Sequence, residues 1–138
     1  MTDFNFLDTN ILVYTDDHDN PEKQSIAIEL FEKVRLSGTG VVSTQVLQEY
    51  FVATTRKLKV PLDIAYEKIR LFARLRLIRI ELSIILDAIE FHQLHHFSFW
   101  DALIIQTAIS AGCSTLFSED LQHRQHINNL QIINPFKP

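Results

Sequence analysis

Apolar positions along this chain switch between a period of two and a period near three and a half, and the switches mark out its elements. Phe4-Asn5-Phe6-Leu7-Asp8 sets Phe4 and Phe6 on one face of a short strand, with Asp8 at its C-terminal end. Thr9–Tyr14 then turns into a short helical piece. Pro21 after Asn20 opens a helix whose stripe is Ile26, Leu30, Phe31 and Val34, ending near Ser37-Gly38. Gly40–Ser43 predicts a second strand, and Ser43 or Thr44 caps a helix over 44–58. Leu58-Lys59-Val60-Pro61 breaks that helix before another over 62–75, which carries Ile64, Ile69, Leu71 and Phe72. Leu77–Glu81 predicts a third strand, and Ser83 caps a helix to about His95. Ser98 opens the most apolar helix, over 99–111. Ser114–Ser118 is a fourth strand, and Gln131–Asn134 a fifth, closed by Pro135.

Strands alternating with helices predict a parallel sheet covered on both faces. No repeat, low-complexity tract or linker interrupts residues 1–138, which read as one α/β domain. Composition agrees: 46% of the 138 residues are apolar, enough for a sizeable core. No apolar run reaches the length of a membrane-spanning helix, and Met-Thr-Asp lacks the basic start and apolar run of a secretory signal. Cys113 is the only cysteine, so no internal disulfide forms, and a cytoplasmic protein is expected. Cys113 itself reads as a small packed residue.

The net charge of −4 argues against a general nucleic-acid coat protein, but its distribution is uneven. Residues 56–79 hold eight basic residues against two acidic ones, a local +6 that leaves −10 on the rest of the chain. The segment reads either as a solvated helical surface or as a phosphate platform beside an acidic pocket.

That pocket is suggested by Asp8, Glu49, Asp101 and Asp120. All four lie at or near element ends, within or directly after apolar residues, where a charge is costly without a partner. Asp8 ends strand one, Asp120 follows strand four, Glu49 lies about a turn into the helix after strand two, and Asp101 is in the first turn of the Ser98 helix. In open parallel sheets these positions converge on the carboxyl edge where ligands bind. Converging carboxylate oxygens suit a hard cation, Mg²⁺ or Mn²⁺, and such an ion supports phosphodiester hydrolysis. Each residue also has a plainer reading: Asp101 in a capping box with Ser98, Asp120 as a turn residue, Glu49 as a helix-edge charge, Asn10 as a local turn former. The Asp16–Asp19 run reads as a solvated loop.

The strings Leu7-Asp8-Thr9-Asn10-Ile11-Leu12-Val13-Tyr14, Ser43-Thr44-Gln45-Val46-Leu47-Gln48-Glu49, Phe99-Trp100-Asp101-Ala102-Leu103-Ile104 and Leu116-Phe117-Ser118-Glu119-Asp120-Leu121-Gln122-His123 together resemble PIN-domain proteins of the VapC toxin type, over essentially the whole chain. The resemblance implies a PIN-like three-layer fold with a five-stranded, mainly parallel sheet flanked by helices. It implies a metal-dependent ribonuclease acting through Asp8, Glu49, Asp101 and Asp120, with Asn10 and Ser118 ordering the site or its water. It also implies a homodimer and a cognate antitoxin that reaches the active site. One departure is Arg124, where relatives with this string often carry glycine, so a different turn or a phosphate contact is expected there.

Competing readings remain. The acidic pocket could dock a basic partner segment in a non-catalytic module. An aspartate-nucleophile phosphatase also begins with Asp after strand one, but Asn10 stands where its second Asp belongs. His92 and His96 have the i, i+4 spacing of a zinc pair, yet no third ligand is evident, and they read as surface histidines. His123 and His126 read as pocket-rim residues, with acid–base work open to His123. The ten phenylalanines and Trp100 raise the question of base stacking, but they read mainly as core, with only Phe97 and Phe99 expected near the pocket mouth as candidate stacking residues.

Overall fold

The computed structural model describes residues 3–138. Its strands β1 (Phe4–Leu7), β2 (Gly40–Ser43), β3 (Arg76–Ile78), β4 (Cys113–Phe117), β5 (His126–Ile127) and β6 (Leu130–Ile133) form one sheet in the order β3-β2-β1-β4-β6-β5. Helices α1 (Thr9–Tyr14), α2 (Pro21–Ser37), α3 (Thr44–Arg56), α4 (Leu62–Phe72), α5 (Leu82–Leu94) and α6 (Phe99–Ser110) join and flank the strands. All pairings are parallel except β5 with β6. This is an α/β fold with a mainly parallel central sheet flanked by helices.

The sheet has six strands where five were expected. The extra one, β5, is a two-residue edge strand that folds back on β6 through Asn128-Asn129. Asn128 has φ 54, a left-handed conformation that asparagine tolerates and that suits a tight hairpin. β3 is shorter than predicted because the chain leaves the sheet after Ile78, and the Ile80 N–H donates to Thr44 Oγ1 at 3.4 Å instead of to a strand. Ser83 is not a cap: α5 starts at Leu82, with Glu81 at the cap position and no side-chain cap bond. Ser43 and Ser98 do cap α3 and α6, accepting from the Val46 and Asp101 N–H groups. Arg124 has φ 70, the left-handed backbone that glycine takes without strain, and it does not line the acidic pocket.

The core lies between the sheet and its helices. Phe6, Leu7, Val41, Val42, Leu116 and Ile132 from the strands meet Leu12, Val34, Val46, Tyr50, Phe72 and Ile105 from the helices. Gly40 is needed where α2 crosses β2: a Cβ there would stand 2.9 Å from Val34 Cγ2 and 3.0 Å from Leu75 Cδ2. A smaller cluster of Ala88, Ala102 and Leu103 seats α5 on α6. Cys113 is buried, and burial pushes its thiol up to about 12, in keeping with a packing role. No helix among the described residues is long and apolar enough to cross a membrane.

The strand order carries the functional consequence. The chain builds outward from β1 through β2 to β3, then places β4 on the other side of β1. The carboxyl edge at β1 and β4 is thus a topological switch point, where parallel sheets open a crevice.

Candidate active site

Register fixes the innermost pair. Leu7 is level with Phe117, and the Asp8 N–H donates to the Phe117 carbonyl at 3.0 Å. The next residues of the two strands, Asp8 and Ser118, therefore meet: Ser118 Oγ donates to Asp8 Oδ2 at 2.7 Å. Asp8 also caps α1, its Oδ1 accepting from the Thr9 N–H at 2.7 Å. Ser118 is fully buried and Asp8 nearly so.

The other three carboxylates ring the same crevice of about 510 Å³. Glu49 reaches it from the second turn of α3, where Thr9 Oγ1 donates to its Oε1 at 2.7 Å and Gln45 Nε2 to its Oε2 at 3.4 Å. Asp120 lies in the bend after β4, exposed rather than embedded. Asn10 Nδ2 donates to Asp120 Oδ2 at 3.0 Å, and the Asp120 N–H donates to Ser118 Oγ at 3.2 Å. Asn10 Oδ1 also accepts from the Glu119 N–H at 3.2 Å, so it ties the bend to α1. Asp101 projects from the first turn of α6, where its own backbone N–H donates to the capping Ser98 Oγ at 3.1 Å. The capping reading of Asp101 and its place in the crevice coexist.

The electrostatics follow from burial. Asp8 is pushed up to about 7, first by desolvation and then by the charges of Asp120 and Glu49, against the opposing Ser118 and Thr9 hydrogen bonds. Asp101 is also raised, first by desolvation and then by Asp120, against Ser98. None of the four carboxylates makes an ion pair among the described residues. The oxygen donors fit a hard cation. Among the described residues no three acidic, histidine or cysteine side chains already close on one point as a cage.

Several features were not read from the sequence. Thr9 and Gln45 hold Glu49, and Thr9 lies 40 residues from it in the chain. Asp16 and Asp17 are not a solvated loop. Asp16 accepts from Tyr50 Oη at 2.5 Å and Lys68 Nζ at 3.1 Å, and Asp17 is buried, accepting from Asn20 Nδ2 at 2.8 Å. Lys68 is thereby withdrawn from the expected basic platform, and Arg76 donates to the Ala111 carbonyl at 2.9 Å. His92 and His96 do not share a helix face, because α5 ends at Leu94 and His92 Nδ1 bonds the Phe97 carbonyl at 2.6 Å. His123 Nδ1 accepts from the Asn134 N–H at 2.9 Å, a structural bond in the C-terminal loop. Phe99 packs on the α5–α6 cluster and Phe97 stacks on Phe91; the aromatic at the crevice mouth is Trp100.

Comparison with known proteins fixes the class. The PIN domain family model matches residues 6–127, and the chain belongs to that family. No curated protein matches the chain significantly. Among solved structures, the fold is similar to a toxin–antitoxin complex from Klebsiella pneumoniae (TM-score 0.70, 17% identity, covering 96% of this chain and 98% of that one). It is also similar to Mycobacterium tuberculosis VapC20, a sarcin-ricin loop cleaving toxin (TM-score 0.65, 19% identity, 84% and 89% covered). A third likeness is to VapBC2 from Rickettsia felis bound to a DNA fragment from its promoter (TM-score 0.64, 22% identity, 94% and 96% covered).

Proposed function

We propose that this chain is a metal-dependent endoribonuclease and the toxin of a VapBC-like pair. The observation that carries the reading is the convergence of Asp8, Glu49, Asp101 and Asp120 on one crevice with no cationic side chain paired to any of them. Family membership and the likeness to VapC toxins support the same reading.

Asp8, Asp101 and Asp120 would hold Mg²⁺ or Mn²⁺, with Glu49 as a further ligand or as the group that orients water. The ion supplies charge stabilisation at the phosphoryl oxygens and acidifies water. Ser118 and the Thr9 N–H keep Asp8 aimed, and Asn10 fixes the bend that presents Asp120. Glu49, held by Thr9, accepts the proton of the attacking water. Oxygen of that water would bond to phosphorus as one P–O ester bond breaks, and the proton taken by Glu49 would return through solvent to the leaving oxygen. As a VapC-type toxin the protein would act as a homodimer in the cytoplasm, beside an antitoxin whose basic side chain neutralises the same carboxylates.

Incubating partner-free protein with total cellular RNA tests this, in Mg²⁺, in Mn²⁺ and in EDTA, beside Asp101→Asn. Metal-dependent cleavage lost in the variant is the expected result. A protein that binds a basic peptide in the crevice but cuts nothing under any condition would be a docking module instead.

A further inference from the structure

The crevice does not end at the carboxylates. It continues into a second hollow of about 550 Å³, and Gln45, Glu49, Lys57 and Trp100 belong to both. Val52 and Arg56 line the second hollow on the α3 side. Its lining is more apolar than the first: an indole and aliphatic carbons, with Arg56 and Lys57 on one side and Glu49 where it joins the crevice. Trp100 is 61% exposed, a large aromatic surface left in water. Its position is nonetheless fixed, since Phe99 packs edge-on at 5.1 Å and Gln45 Nε2 donates to the Trp100 carbonyl at 3.3 Å. Gln45 is 4% exposed, and its Oε1 has no donor.

The cations point the same way. Only Lys23, Arg35, Lys68 and Arg70 are within ion-pair distance of a carboxylate among the described residues; of the basic side chains left unpaired, Arg56 and Lys57 are the two that line this hollow. An acidic crevice repels a polyanion, so an RNA strand reaching it needs compensating charge on the approach. These two side chains are the free positive charges on its rim.

We propose that this second hollow is a nucleotide subsite. An unpaired RNA base next to the scissile phosphate stacks on Trp100, and the adjoining backbone phosphate lies between Arg56 and Lys57. Gln45 holds the Trp100 backbone in place through its Nε2 bond to the carbonyl. Single-stranded RNA fits this surface because stacking asks only for a π-face and phosphate only for charge. The inference rests on the nuclease reading and adds where the strand lies and that it must be unpaired there.

Trp100 is the only tryptophan, so its emission reports on the subsite directly. The test uses Asp8→Asn protein in EDTA, which leaves RNA intact, and random-sequence single-stranded octaribonucleotides with an end label. Anisotropy of the label reads binding, and Trp100 emission reads stacking. The expected result is quenching by the RNA but not by an abasic ribose-phosphate oligomer of equal length. Trp100→Ala should weaken binding about tenfold or more, with Trp100→Phe recovering part of it. Arg56→Ala and Lys57→Ala should each lower the salt dependence of binding by roughly 0.7 of a logarithmic slope unit.

Bound RNA with unchanged Trp100 emission would overturn the subsite, and so would failure of the oligomers to bind at all. In either case cleavage of total RNA by the wild-type protein decides separately whether the nuclease reading stands. Quenching by a basic, apolar peptide and not by RNA would also overturn it, reassigning the hollow to a protein segment.

Discussion

Two sets of acidic residues in this molecule have met opposite fates. Asp16 and Glu119 sit in part-buried positions and each has a lysine and a tyrosine hydroxyl on it. Asp16 takes Lys68 at 3.1 Å and Tyr50, and Glu119 takes Lys23 at 2.5 Å and Tyr14 at 2.6 Å. Asp8, Glu49, Asp101 and Asp120 are held only by hydroxyl, amide and backbone donors. Those donors fix where each carboxylate points but leave its charge uncancelled. The chain thus has the means to neutralise acidic groups and does so on either side of the crevice, not inside it. A fold that aims four charges at one space and withholds the counter-charge is prepared to take a cation from outside.

Catalysis should separate the two sets most widely. Asp8→Asn is expected to lower metal-dependent RNA cleavage by on the order of 10²–10³-fold, because it removes a ligand from where phosphoryl charge develops. Asp16→Asn should leave the cleavage rate near wild type once corrected for folded protein. Equal losses in both variants, measured on the same labelled transcript, would dissolve the distinction. Metal linkage sharpens it further. Mg²⁺ at about a hundredfold over its Kd should stabilise the wild type by about 2.7 kcal/mol through mass action, visible as a rise in Tm. Asp16→Asn should keep that response and Asp8→Asn should lose most of it.

The apoprotein's stability should respond with opposite signs. The folded Asp8 pKa of about 7 lies above its ordinary 3.8, so between those values the folded state holds a proton that the unfolded state has released. The stability this group contributes is therefore full below about pH 4 and falls as pH rises through 7. At pH 8 without metal, Asp8→Asn should gain roughly 2 kcal/mol by removing a buried charge, and its pH profile should flatten in that window. Asp16→Asn at the same pH should cost roughly 1–3 kcal/mol, since it breaks a charged hydrogen bond and strands Lys68. Urea titrations at pH 5 and pH 8 measure both, and a wild type equally stable at the two would argue against a tight acidic cluster.

The two sets also differ in how far the sequence revealed them. Local strings were enough for the crevice. An aspartate ending a strand, a serine at a helix cap and an acidic residue one turn into a helix are positions set by each element alone, and the parallel sheet then sends them to one edge. The matched pairs were not legible, because Asp16–Tyr50, Asp16–Lys68 and Lys23–Glu119 span 34, 52 and 96 residues and depend on how α2, α3 and α4 pack. A stretch with four aspartates and asparagines from Asp16 to Asn20 looks like a solvated loop until those partners are in place. Edge features were lost for a related reason. β5 has two residues, too few for a period, and its only signal was Asn128-Asn129 as a turn. Trp100 was read as part of an apolar helix, since the pattern of α6 does not tell which apolar residue faces outward.

The finest comparison lies between neighbours in the chain. Glu119 and Asp120 are adjacent, yet Glu119 turns to Lys23 and Tyr14 while Asp120 faces the crevice with only Asn10 on it. Glu119→Gln should therefore change cleavage by no more than a few-fold, whereas Asp120→Asn should behave like Asp8→Asn. Its main signature should be elsewhere. Tyr14 is raised first by burial and then by the Glu119 carboxylate, so removing that charge should bring its ionisation down. An ultraviolet titration of the three tyrosines, with Tyr14→Phe to assign the transition, reads the shift. Should Glu119→Gln instead cripple cleavage with Tyr14 unmoved, Glu119 would belong with the crevice set, and the division between matched and unmatched carboxylates would run one residue earlier than drawn.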